Sequence, residues 1–431
     1  HAQALGDMSG AVKYARQALD LLPEGYYYER GVLAALLGII YWASGDLEAA
    51  HRSFADFMAN MRMAGIILVA ISGTSILADI RMALGRLHEA VRTYEQSLQL
   101  ATAQGKPILQ GTANLYVGLS ELQCEQGDLE VARQHLLRSK ELGEHAALPE
   151  LQYRSCLAEA RIKEVQGDLG DALDLLDEAE RQYIWTPLPD VRPVAALKTR
   201  IWIAQGRLSE ALDWAREQGL SIHDELIYLR EFEHITLARA LIARYMSERA
   251  DRYIHEAMEL LGRLLQAAEE GGRIGSVIEI LMLQALAHNA QSDRPAALAS
   301  LERALMLAEP EGYVRIFVDE GTPMARLLSE AAVQGIMPDY TARLLVIFEA
   351  EEHKSEDESH LPPAQSLVEP LSQRELEVLR LITQGLSNRQ ISERLFLALS
   401  TVKGHNRIIF SKLMVGSRTE AVARARELGL L

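Results

Sequence analysis

The chain alternates between apolar stretches of helical period and short polar breaks. LAALLGIIYWAS (residues 33–44) and LEAAHRSFADFM (residues 47–58) place apolar side chains three or four positions apart, as an amphipathic helix requires. Between them stands Gly-Asp. The same break, Gly then Asp or Arg, usually Leu, and Ala five residues after the Gly, returns along the first three hundred residues. It reads GDMSGA from Gly6, GDLEAA from Gly45, GRLHEA from Gly85, GDLEVA from Gly127, GDLGDA from Gly167 and GRLSEA from Gly206, at steps of 39, 40, 42, 40 and 39 residues. A degenerate seventh copy lies near Glu248, and SDRPAA from Ser292 makes an eighth.

Each break has a mechanical meaning. Gly supplies the left-handed residue that ends one helix. Asp caps the next helix; Arg86 and Arg207 leave that cap out. The Ala allows two helices close approach. The pattern therefore predicts antiparallel helix pairs stacked into a solenoid of about eight units, the first incomplete, over residues 1–349. The period exceeds that of the 34-residue tetratricopeptide repeat, so the helices or loops must be longer.

The pattern changes after residue 349. Residues 350–370 are acidic, polar and proline-bearing with no apolar period, and read as a flexible tether. Residues 371–431 then give four short helices, at about 373–384 (buried through Leu376, Leu379 and Ile382), 388–395, 401–413 and 418–428. The second and third, joined by the turn FLAL, form a helix-turn-helix. The fold class is all-α: a helical-repeat superhelix followed by a small four-helix domain.

The starts of these short helices raise a question. SQRE, SNRQ and SRTE (from Ser372, Ser387 and Ser417) fit the capping box. The third helix, with Ser400 read as its N-cap, instead places Lys403 in its first turn, where the helix dipole disfavours a cation. Arg407 follows one turn later on the same face. Gly404 between them costs helix stability, about 1 kcal/mol against Ala, but permits close approach. In a helix-turn-helix these positions meet base edges in the major groove, so the charge finds its partner on DNA.

Charge supports this reading. Residues 371–431 hold ten Lys/Arg against five Asp/Glu, a balance of +5, while the other 370 residues hold 34 against 55, a balance of −21. A basic module on an acidic body points to a polyanion partner for the module alone. The two cysteines, Cys124 and Cys156, suggest neither a disulfide framework nor a zinc site, which fits a reducing cytoplasm. The longest apolar run, residues 64–78, contains Gly, Ser and Thr and falls short of a membrane span. The abrupt start at His1 suggests a piece of something longer.

Other residues carry weaker signals. Glu231 and His234 are spaced i, i+3, but no second such pair completes a metal site, so they are read as a solvated or interhelical face. Trp42, Trp185, Trp202 and Trp214 and the run Tyr26–Tyr28 are read as interhelical packing. No catalytic arrangement is visible, and the chain is read as a non-enzyme.

Two resemblances sharpen the picture. DVRPVAALKTRIWIAQGRLSEAL (190–212), DELIYLREFEHITLARALIA (224–243) and EPEGYVRIFVDEG (309–321) resemble the superhelical tetratricopeptide-like domain of the large MalT-like LuxR regulators. That likeness implies that the superhelix senses a small inducer or a protein partner. Such regulators normally carry an ATPase module upstream. This chain has no G-x-x-x-x-G-K-[ST] loop and so no cofactor of its own, ATP being implied only for a longer parent.

LSQRELEVL, GLSNRQISERL, STVKGH, KL at 412–413 and SRTEAVARA resemble the LuxR-type DNA-binding domain. Carried over, Lys403, Gly404 and Arg407 face bases, and Asn388, Arg389, Thr401 and His405 meet phosphates. Ala421, Val422 and Ala425 lie where that family dimerises, with packing inside the domain as the alternative. Two departures, Asn406 at an apolar core position and Met414 where Gly is usual, are expected to lower stability. Gly404, where a larger side chain is common, is expected to alter sequence preference.

The resulting expectation is a bacterial transcription regulator. Its partners are double-stranded promoter DNA, RNA polymerase and a second copy on DNA, with an inducer or protein partner on the repeats and no membrane. The rivals are a sigma-region-4-like module, which would not predict a fourth helix, and a peptide-binding scaffold whose last domain merely packs.

Overall fold

The computed structural model describes residues 8–103, 111–143, 149–183, 185–360, 373–383, 386–395, 399–412, 415 and 421. Among them every regular element is a helix, and none is long and apolar enough to cross a membrane. The chain divides into two compact units, residues 1–347 and 348–431.

The first unit opens with α1 (Met8–Leu21) and continues in pairs: α2 (Tyr27–Ser44) with α3 (Leu47–Met63), α4 (Ile67–Ala83) with α5 (Leu87–Ala103), and α6 (Thr112–Glu125) with α7 (Leu129–Gly143). Next come α8 (Pro149–Val165) with α9 (Leu169–Gln182), α10 (Val194–Ala204) with α11 (Leu208–Glu217), α12 (Glu231–Glu248) with α13 (Asp251–Glu270), and α14 (Ile274–Ala290) with α15 (Arg294–Ala308). The short α16 (Arg315–Val318) and α17 (Thr322–Val333) follow, and α18 (Pro338–His360) crosses the division between the units.

The Gly breaks fall where the pairs turn. Gly45, Gly85, Gly127, Gly167 and Gly206 all have φ between +76° and +86°. The degenerate copies keep that geometry without glycine, at Arg249 (φ 55°) and Ser292 (φ 64°). The Asp46 carboxylate accepts from Ala49 N–H at 3.0 Å, and Asp128 and Asp293 cap in the same way. Asp168 forms no such cap and pairs with Lys163. The Ala five residues on, at Ala50, Ala90, Ala132, Ala172, Ala211 and Ala297, is fully buried in every case.

Sequence periodicity did not reveal the return of the chain upon itself. After α11 the later elements lie along the earlier turns. The Trp42 indole N–H donates to the Tyr228 hydroxyl at 3.2 Å. Val314 N–H donates to the Glu125 carbonyl at 3.1 Å, Ile316 N–H to the Glu125 carboxylate at 3.1 Å, and His88 N–H to the Glu311 carboxylate at 2.9 Å. Arg161 pairs with Asp319. A Cβ on Gly45, Gly85 or Gly127 would stand 2.9, 2.7 or 2.9 Å from Tyr228, Ile274 or Val314, so three successive turns each receive a side chain from the second half.

Ion pairs line this return. Glu279 lies 2.8 Å from both Arg200 and Arg239, and Arg239 also reaches Glu320. Burial opposes the Glu279 charge, but the two guanidiniums prevail and hold its pKa at about 2. Glu231 is buried against Arg273 at 2.6 Å, Glu233 pairs with Arg230, and His234 contacts the Arg230 carbonyl and Asp224. These three are thus interior pairs, with no solvated face among them.

Some expectations change. Trp42 packs edge-on to Phe54 and Trp214 is buried, but Trp185 (77% exposed), Tyr26 and Tyr28 lie on the surface and are not interhelical packing. α18 runs to His360, eleven residues into the segment read as a tether. A helix does not need an apolar stripe to form, and no proline interrupts the sequence between Pro338 and Pro362. Residues 361–370 lie outside the described residues.

Candidate nucleic-acid interface

The second unit contains α19 (Gln373–Thr383), α20 (Asn388–Leu395) and α21 (Leu399–Lys412). Val378, Leu379, Leu381, Ile382, Ile391, Val402, Ile409 and Ala421 form its core. The SNRQ capping box is present: Ser387 N–H donates to the Gln390 side-chain oxygen at 2.8 Å, and Gln390 N–H to Ser387 Oγ at 3.4 Å. The other two boxes, at Ser372 and Ser417, and the Met414 turn lie outside the described residues.

Side chains fix α19 against the other two helices. Arg374 donates to the Leu395 carbonyl at 3.0 Å, at the end of α20. The largely buried Lys412 and Glu375 pair at 3.1 Å. Two of the ten basic residues thus serve the module's own packing.

α21 begins at Leu399, earlier than the Ser400 cap read from sequence. Lys403 is therefore its fifth residue, past the first turn, and the dipole penalty is smaller than that reading implied, because it falls off within one turn. The orientation of the helix is clear. Val402, Asn406 and Ile409, spaced i, i+4 and i+7, face the core, while Thr401, Lys403 and Ile408 are exposed. Among the described residues no carboxylate pairs with Lys403.

The sequence-derived residues divide as follows. Thr401 and Lys403 stand on the open face of α21. His405 is half-buried, its Nδ1 buried without a partner among the described residues. Gly404 and Arg407 belong to the helix, Arg407 one turn beyond Lys403, and the Arg407 side chain lies outside the described set, as does that of Arg389. Asn388 opens α20 and accepts a hydrogen bond from Asn406 at 2.8 Å. Ala421 is fully buried in the core, so its methyl packs within the unit; Val422 and Ala425 lie outside the described residues. Ile408, 44% exposed, is a further apolar side chain on the open side of α21 that the sequence reading did not single out. Its signal was an apolar residue off the 402/406/409 stripe.

Two family profiles match the chain. One, described as a MalT-like TPR region, covers residues 2–334. The other, described as bacterial regulatory proteins of the luxR family, covers residues 369–425.

Proposed function

The chain belongs to the MalT-like TPR family and ends in a luxR-family regulatory domain, which makes it a DNA-binding transcription regulator, and we propose how its parts divide that work. Residues 371–431 read a promoter through α21. Lys403, Gly404 and Arg407 face base edges, with Ile408 beside them as an apolar contact for thymine methyls. Asn388, Arg389, Thr401 and His405 hold phosphates and set the register. Residues 1–349 receive a small inducer or a protein partner and pass the signal to RNA polymerase recruitment, with a second copy joining on DNA through the segment after Ala421. The cytoplasm is the natural setting for this work. Both matched families are regulatory rather than catalytic.

The observation that carries this reading is Lys403, exposed and, among the described residues, without a carboxylate partner, on a helix whose opposite face is buried. The test compares the full chain with a Lys403→Glu/Arg407→Glu variant on mixed-sequence duplex DNA over a salt series. The wild type should bind with a steep negative slope of log K against log salt, and the variant should lose both affinity and slope. Equal binding by both would remove α21 from the groove.

A further inference from the structure

We propose that the cavity between α3, α4 and α5 binds a small organic carboxylate with an apolar body of about one ring. Its role as an inducer site rests on the reading of residues 1–349 given above; the binding does not. The site follows from helical spacing. Ala55, Met58 and Arg62 stand at i, i+3 and i+7 on α3, and Ala70, Leu77 and Arg81 at i, i+7 and i+11 on α4. Each helix thus turns one face, apolar with a terminal cation, toward a common space of about 160 Å³. Two of the wall positions are alanines, and a larger side chain at Ala55 would take up that space. From α5, Thr93 and Ser97 add hydroxyls, the latter held by Thr74 at 2.7 Å.

The cation on α4 is fixed in place. Arg81, 19% exposed, donates through Nε to His51 at 3.2 Å and through Nη1 to the Glu89 carbonyl at 3.0 Å and to Thr93. Its Nη2 donates to nothing among the described residues, so a positioned guanidinium keeps two donors for a ligand. Arg62 is exposed, and its side chain makes no hydrogen bond or ion pair among the described residues. Burial lowers the Arg81 pKa; Glu89, 3.5 Å away, opposes this, and Arg86 and Arg92 add to it, so a further anion beside Arg81 is favoured.

A carboxylate with a small apolar body meets both ends of the site. Its oxygens accept from Arg81 and Arg62, and its body lies against Met58 and Leu77. The volume sets the size, because a cavity of about 150 Å³ holds one benzene molecule. A peptide is too large. Phosphate or sulfate would lose hydration against the apolar wall, and a hydrocarbon would leave the guanidiniums desolvated without a partner.

The test titrates the full chain with benzoate, benzamide and acetate by calorimetry at pH 7. Benzamide has the body without the charge, and acetate the charge without the body, so benzoate should bind about tenfold more tightly than either, or better. Arg62→Gln should weaken benzoate binding about threefold to tenfold, the worth of one charged hydrogen bond at a partly open site. Arg62 is exposed, so this variant should keep the wild-type urea midpoint, which makes its loss one of contact and not of fold. Ala55→Leu should abolish binding by filling the space.

No binding, equal affinity for benzoate and benzamide, or binding that neither variant alters would overturn the site and leave the repeats to receive a signal elsewhere. DNA affinity with and without saturating benzoate tests the role separately. A shift supports an inducer site, whereas binding with no shift keeps the site and removes that role.

Discussion

Glu125→Gln should stabilise the first unit in alkaline solution and leave it nearly unchanged in acid. Glu125 ends α6, and its carboxylate meets Ile316 N–H at 3.1 Å where the chain returns. Burial pushes its pKa from 4.5 up to about 7; Arg161 pulls the other way, Asp319 adds to the rise, and the Ile316 N–H and Arg192 oppose it. Between those two pH values the folded chain holds a proton that the unfolded chain releases. Stability from this group is therefore fully present below pH 4.5 and is lost as pH rises through about 7. The gap corresponds to roughly 3 kcal/mol as a ceiling. Gln carries no charge to desolvate and keeps an acceptor for Ile316 N–H. All four tryptophans lie in the first unit, so urea unfolding followed by Trp emission reports it without the second. The variant's gain over wild type should approach about 3 kcal/mol at pH 8 and vanish near pH 4. An effect of equal size at both pH values would refute the assignment of a raised pKa to Glu125.

Gly127→Ala should cost more than Gly167→Ala: both residues have φ above +80°, but only at Gly127 would the new Cβ meet a side chain, that of Val314, and the two urea midpoints give the difference. Gly118→Ala should destabilise by about 1–3 kcal/mol although Ala is the better helix former, because its Cβ would overlap the buried Tyr94 ring; a gain in melting temperature would show that the ring can move aside. Glu279→Gln should cost about 3–5 kcal/mol by leaving Arg200 and Arg239 facing each other, with the full loss above pH 4.5 and a shrinking one as pH falls toward about 2, as calorimetry across pH would measure. Trp185→Ala should leave the unfolding midpoint within about 0.5 kcal/mol of wild type, since its ring is mostly in solvent.

Local grammar was legible in the sequence. The Gly-Asp breaks gave the helix pairs because a left-handed residue and a cap act on their immediate neighbours. The same holds for the capping box at Ser387 and for the start of α20. Charge and spacing gave the exposed face of α21. What was not legible depended on partners far along the chain. For Glu231 and His234 the sequence left a solvated and an interhelical face open, because the partners that decide it, Arg273 and Asp224, are 42 and 10 positions away. Trp185 looked like core because hydrophobicity alone does not say whether a loop faces a neighbour. The helix through residues 351–360 is not legible because these residues carry no apolar period for a pattern reading to detect. Asn406 was read as a defect, since nothing in its own helix names Asn388 as its partner.

The return of the chain also bears on when this protein can become stable. A solenoid held only by adjacent repeats can consolidate as each repeat emerges and can fray from either end. Here the bonds from Trp42 to Tyr228, Glu125 to Ile316 and His88 to Glu311 span 186, 191 and 223 positions. At about 5–20 residues per second, the third repeat waits roughly 10 to 45 s on the ribosome for the segment that completes it. During that interval Gly45, Gly85 and Gly127 present vacant docking turns beside half-formed cores, open to chaperones and to proteases alike. Once the later segment arrives, Tyr228, Ile274 and Val314 close on the turns at Gly45, Gly85 and Gly127, and the array gives up the end-to-end unzipping and spring-like extension of an open solenoid for a more cooperative transition.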